Sequence, residues 1–266
     1  MPRRQMLSAA QRATLLSIPT DDAQLVRHYT LTARDRSIIR AKRGARNQLG
    51  FAVQLAYLRF PGRPLSAEDV PPPQLVSFIA RQLRVKAAAW TDYALRDETH
   101  REHALELQAA FGYESFTVAA YRRVRAWLTD VALQTHNAVS LAGQLVERLR
   151  SERVLLPTTD ALDRICSEAL TRGARLLQTK LVVPLDEPCR DRLDSLLLPR
   201  DSTRPVTLTW LQQPPGEAKA KNMLSHLDRL DRIRAVELPQ GLSLLVHQGR
   251  LTELARSCVC PRAQVP

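Results

Sequence analysis

The chain has 266 residues, 44% of them apolar, and lysine plus arginine outnumber aspartate plus glutamate by 39 to 27, a net charge of +12. That apolar content suffices for one large domain or two small ones and excludes an unstructured tail, while the cation excess calls for a polyanionic partner. Charges interrupt every hydrophobic run before it reaches the roughly 20 residues of a membrane span. The start, Met1 to Leu7, is basic but lacks the apolar stretch of a secretory signal, so the expected location is the cytoplasm.

Glycine is scarce and Leu, Ala, Arg, Gln and Glu are plentiful, so local propensities sum to a mainly α fold. Helices are expected to begin at Ser8, at Asp21 or Asp22, at Thr32, near Ala45, at Pro72, at Asp97, near Val118, near Ser140 and at Thr159. Most of these starts carry a capping side chain or a proline in the first turn. Prolines in Phe60-Pro-Gly-Arg-Pro64, Val70-Pro-Pro-Pro73, Leu156-Pro157, Leu198-Pro199 and Gln213-Pro-Pro-Gly216 mark corners. Texture divides the chain into a basic helical unit at 1–112, a second helical unit at 115–200, and a linker or the start of a further unit at 201–266. In the last of these, Val206 to Leu211 reads as a short extended piece.

The positive charge is concentrated early: residues 1–60 hold eleven Arg or Lys against three acids. On the helix from Thr32, Arg36, Arg40 and Arg43 recur at helical spacing, a row that repels itself unless it faces phosphates. Arg34, Arg36, Arg40, Lys42, Arg43 and Arg46 are therefore expected to contact phosphates or guanine edges, which the planar arginine fork suits. Asn47, Gln48 and Gln54 are amides of the type that pairs with adenine and are expected base readers. A basic helix, a break at Gly44 and an amide-bearing helix form a helix-turn-helix-like pattern. Arg59 and Arg63 extend the same cluster, and Arg122, Arg123 and Arg125 form a second patch. Arg172, Arg175 and Lys180 are a third group. The bland alternative is a solvated basic face over an ordinary core helix. No aromatic platform interleaves the arginines, which favours duplex over single-stranded nucleic acid.

The run Asn47-Gln-Leu-Gly-Phe-Ala-Val-Gln-Leu-Ala-Tyr-Leu-Arg-Phe-Pro-Gly-Arg63 resembles the N-terminal region of Tn-three family replicative transposases. Further similar stretches follow in the same order at 75–83, 93–103, 111–113, 155–164, 193–198 and 227–234. The resemblance implies that the helical units bind transposon terminal inverted repeats as duplex DNA. It also implies that strand cleavage belongs to a distant RNase H-like domain whose two aspartates and glutamate would lie beyond position 266. The last residues, Ser257 to Pro266, depart from the family's pattern, as a frameshifted or prematurely ended gene would produce.

Catalytic residues, metals and cofactors are not expected. His100 and His103 lack a third ligand and fit packing or a DNA-proximal turn; Cys258 and Cys260 with His247 fit no common zinc spacing. Asp186 alone follows a strand-like apolar run, and neither a Gly-x-Ser-x-Gly elbow nor a glycine-rich phosphate loop is present. The expected function is duplex binding at inverted repeats without cleavage, with full-length transposase as a further partner. The alternative is a non-catalytic module that meets acidic proteins or another transposase chain.

Overall fold

A computed structural model describes residues 6–66, 69–94, 97–198, 206–213, 217 and 219–259. The chain separates into two compact units, one of residues 1–128 and 138–167, the other of 129–137 and 168–266. The fold is mainly α, and no β-strand is present among the described residues.

The first three helices of the first unit start where a side chain takes up an orphan amide. Helix α1 (Ala9–Leu16) begins at a capping box between Ser8 and Gln11, and α2 (Asp22–Tyr29) is capped by Asp21. Helix α3 (Ala33–Arg40) starts at a second box, in which Thr32 and Asp35 exchange hydrogen bonds. Helix α4 (Ala45–Arg59) follows a four-residue turn closed by Gly44, whose φ of 85° is readily available only to glycine. Next come α5 (Pro73–Leu83), α6 (Ala89–Ala94), α7 (Asp97–Phe111), α8 (Val118–Ala132), α9 (Ala138–Ser151) and α10 (Thr159–Val182). The division between the units falls inside α8 and α10.

Helix α4 is the axis of the first unit. Every residue from Leu49 to Leu58 is buried, as expected of a helix that is apolar all round, and α2, α3, α5, α6 and α7 pack against it. Its large side chains, Leu49, Phe51, Leu55, Tyr57 and Leu58, are each worth about 1.5–3 kcal/mol of transfer free energy.

The first unit gathers in residues beyond Tyr113 through backbone bonds. Glu114 N–H donates to the Arg153 carbonyl at 2.9 Å, Leu155 N–H returns to Glu114 at 2.8 Å, and Leu156 N–H donates to Gly62 at 2.9 Å. The Arg150 guanidinium donates to the Pro61 carbonyl at 2.7 Å and lies 4.0 Å from the Phe60 ring centroid. At the other end, the Leu7 amide donates to the Asp163 carboxylate at 3.0 Å across 156 residues, and Leu7 is 2% exposed. This spatial grouping runs across the textural break at 112–115.

The second unit contains α11 (Glu187–Ser195), α12 (Thr207–Leu211), α13 (Ala220–Arg234), a 3-10 turn (Leu242–Leu245) and α14 (Gln248–Val259). Asp186 caps α11 by accepting from Cys189 N–H at 2.9 Å. Val206 to Leu211 is not extended: Trp210 N–H reaches back to the Val206 carbonyl and a helical turn forms. Helix α14 is anchored by Arg250, which donates to the Ala132 carbonyl at 2.9 Å, and by Glu253, which accepts from the Thr135 hydroxyl at 2.7 Å and His136 N–H at 2.6 Å. The expectations for Met1–Gln5, for the Pro199 and Pro214-Pro215 corners and for the tail from Cys260 lie outside the described residues.

Candidate nucleic-acid interface

The basic cluster divides into cations that brace the fold and cations that face outward. Arg34 donates to the Ala110 carbonyl at 3.2 Å, and its guanidinium carbon stands 5.9 Å from the Phe111 ring centroid. Lys42 pairs with Glu106 and sits 4.8 Å from the Phe51 ring centroid. Arg59 binds Asp35 at 2.7 Å, linking the C-terminal end of α4 to the first turn of α3. Arg63 grips Asp69 with both terminal nitrogens, at 2.6 and 2.7 Å.

These pairs set their own electrostatics. Burial pushes the Asp35 carboxyl up, but the Thr32 amide and the Arg59 guanidinium outweigh it and hold the group below its ordinary 3.8. At Asp69, burial is again outweighed, by Arg63 and the Ser66 amide. The hydrogen bond from Arg63 to Asp69 raises the arginine in turn. Arg34, Lys42, Arg59 and Arg63 therefore already have protein partners.

By contrast, Arg36, Arg40 and Arg43 are exposed and Arg46 is half-buried, and none of them makes an ion pair or side-chain hydrogen bond among the described residues. Arg36 and Arg40 are one turn apart on α3, Arg43 lies in the turn, and Arg46 lies in the first turn of α4. Asn47 Nδ2 donates to the Arg43 carbonyl at 3.0 Å, and Gln48 Nε2 to the Lys42 carbonyl at 3.0 Å. Both amides stiffen the turn that presents the arginines, and their carbonyl oxygens carry no bond among the described residues.

Gln54 requires correction as a base reader. It is 2% exposed, and its Nε2 donates to the Tyr93 hydroxyl at 2.7 Å and to the His100 carbonyl at 2.9 Å. It is a core amide. The helix-turn-helix-like pattern is restricted for the same reason, because the middle of α4 is enclosed and leaves only its first turn outward. On α8, Arg122 is exposed, Arg123 pairs with Glu152 at 3.2 Å, and Arg125 lies 5.6 Å from the Tyr121 ring centroid.

Sequence reading missed a polar network behind the interface. Tyr93 on α6 holds Gln54 and, at 3.1 Å, His103 Nδ1; its ring stacks on His103 with centroids 5.7 Å apart. Burial first, and then Lys42, hold His103 below its ordinary 6.5. A Cβ on Gly50 would come within 2.3 Å of the Tyr93 ring, so this glycine is where the ring enters. The spacing of Gly50, Gln54, Tyr93 and His103 carries no pattern that sequence alone reveals, because the partners come from three helices. The Thr32-x-x-Asp35 capping box, by contrast, was a readable signal. Among the described residues, no group of three His, Cys, Asp or Glu side chains is placed to hold a metal ion, and no helix is long and apolar enough to cross a membrane.

A helical domain built on a buried α4, with an outward arginine turn at its head, is the class of protein the structure defines. Residues 6–169 match the family described as "Domain of unknown function (DUF4158)", and the chain belongs to that family. Over 256 residues, 96% of its length, it is 44% identical to the transposase for transposon Tn3926 and to the transposase for transposon Tn21, both from Escherichia coli. Over the same length it is 42% identical to the transposase for transposon Tn501 of Pseudomonas aeruginosa. In each case the match takes up 26% of the relative, so the chain spans about a quarter of their length. The stretches that resemble transposases in the sequence thus lie within a region shared with them.

Proposed function

We propose that the first unit binds duplex DNA at transposon terminal inverted repeats, as the end-recognising portion of a transposase, and does not cleave it. The observation that carries this reading is the unpaired set Arg36, Arg40, Arg43 and Arg46, carried by α3, the turn after it and the first turn of α4 while neighbouring cations are consumed by the fold. Self-repelling charges kept together without counter-ions fit a phosphate backbone. Transposases acting for named transposons as relatives support DNA as the polyanion.

In this reading the four arginines contact phosphates or guanines, and Asn47 and Gln48 are the amides left for base edges. Arg122, Arg123 and Arg125 add a second contact. The stretch 1–112 supplies the first contact, 115–200 the second, and 201–266 leads toward a further part. Two contacts on one duplex raise affinity through effective concentration.

The test is a mobility shift with a Tn21 terminal inverted repeat and a scrambled duplex at matched salt. The expected result is preference for the repeat, with affinity falling steeply as salt rises. Replacing Arg36, Arg40, Arg43 and Arg46 together by Gln should reduce the slope of log K against log salt by about 3.6, taking about 0.9 per phosphate contact. An unchanged slope, or no duplex binding at low salt, overturns the assignment. Incubation with magnesium and supercoiled DNA should leave the DNA uncut.

A further inference from the structure

One cation of the outward turn points back into the fold. Lys42 stands between Arg40 and Arg43, which are exposed and make no ion pair among the described residues, yet its own side chain is 18% exposed. Its ammonium pairs with the Glu106 carboxylate on α7 and lies 4.8 Å from the centroid of the Phe51 ring, which is fully buried. Its carbonyl accepts from Gln48 Nε2 at 3.0 Å. Side chain and backbone are thus both held, and a lysine placed to reach solvent covers a core aromatic ring instead.

Helix α7 supplies the acid that holds it. Glu98, Glu102 and Glu106 recur every four residues, share one side of the helix and are exposed. Glu98 and Glu102 make no ion pair among the described residues; Arg101 is beside them. Helix α7 is joined to the basic segment twice, by Arg34 at the Ala110 carbonyl and by Lys42 at Glu106, so its acidic side is fixed at the edge of the arginine turn.

On the duplex-binding reading of that turn, we propose that Glu106 is a positioning residue that withholds Lys42 from DNA and so caps the number of phosphates the turn neutralises. Recruiting Lys42 to a phosphate would leave Glu106 unpaired at the border of the same surface, with Glu102 one turn away, and like charges brought face to face oppose association. The lysine therefore stays on Phe51, and four of the five cations between 36 and 46 are left to release counterions. Phosphate contacts carry no sequence information. The cap therefore lowers affinity for every duplex alike, which limits capture by arbitrary DNA and leaves the preference for the repeat intact.

The experiment titrates the whole chain against the Tn21 terminal inverted repeat and the scrambled duplex over a salt series, for the parent, Glu106→Gln and the double variant Lys42→Gln/Glu106→Gln. Glu106→Gln should bind both duplexes more tightly and steepen the slope of log K against log salt by about 0.9, one further phosphate contact. Its advantage over the parent should then shrink about 3.5-fold for each fourfold rise in salt. In the double variant the slope should return to that of the parent. Damage to the fold would weaken binding, so a gain in affinity with a steeper slope separates positioning from a structural role. An unchanged slope in Glu106→Gln overturns the inference. So does a steepening that persists in the double variant, because loss of the acid alone would then explain it, and so does tightening confined to the repeat. Absence of duplex binding by the parent at low salt removes both readings, whereas parent binding with an unchanged slope in Glu106→Gln removes this one alone.

Discussion

Gly50→Ala should destabilise the first unit, although glycine inside a helix is ordinarily the weaker choice by about 0.5–1 kcal/mol. The added methyl would stand 2.3 Å from three atoms of the Tyr93 ring, more than 1 Å inside ordinary carbon contact of roughly 3.5–4.0 Å. The ring cannot retreat freely, because Tyr93 is 1% exposed and its hydroxyl is tied to Gln54 and His103. Overpacking of this kind costs about 1–3 kcal/mol, and displacing the ring weakens two hydrogen bonds worth about 1 kcal/mol each. Set against the gain in helix propensity, the net loss should be about 2–3 kcal/mol. Urea unfolding followed by circular dichroism measures it. In a Tyr93→Ala background the obstruction is gone, and Gly50→Ala should become stabilising by about 0.5–1 kcal/mol, a reversal of sign within one double-mutant cycle. If Gly50→Ala stabilises the parent chain as well, the proposed role of this glycine is wrong.

Asp35→Ala removes the partner of Arg59 and half of the capping box of α3. The expected cost is about 2–4 kcal/mol by chemical denaturation, toward the lower range for a broken buried pair because Arg59 reaches solvent. Gln54→Leu leaves the His100 carbonyl without its donor and should cost about 1–3 kcal/mol, while duplex affinity in a mobility shift stays unchanged; a specific loss of repeat preference would restore Gln54 as a reader. His28 and His103 are both held below 6.5, each first by burial. The unfolded chain therefore binds protons that the folded chain refuses, so their contribution is complete above pH 6.5 and declines as pH falls below it. His103→Gln should flatten the pH dependence of thermal stability there, and an unaltered slope would exclude His103 as a source.

Elements with a local signal were legible in the sequence. The starts at Ser8, Asp21, Thr32 and Thr159 are written in capping side chains or in the residue that opens the helix, and α9 begins two residues before the expected Ser140. Val206 to Leu211 misled because β-branched residues favour strands only where a sheet awaits them. In the basic cluster, residue type located the region but not the division of labour. Arg36 and Arg59 look alike in sequence; one meets solvent and the other meets Asp35 across 24 residues. Gln54 is a related case: an amide type suits a base edge, but no neighbouring residue signals that α4 is enclosed on all sides.

The bond between Leu7 and Asp163 has a consequence for biosynthesis. At roughly 5–20 residues per second, the 156 residues that separate them take about 8 to 31 seconds to make. The turn that carries Leu7 must keep its leucine undocked for that interval, until α10 emerges. During translation the N-terminal segment is thus a waiting clamp, and the first unit is fastened at both ends of its sequence only when α10 has been made.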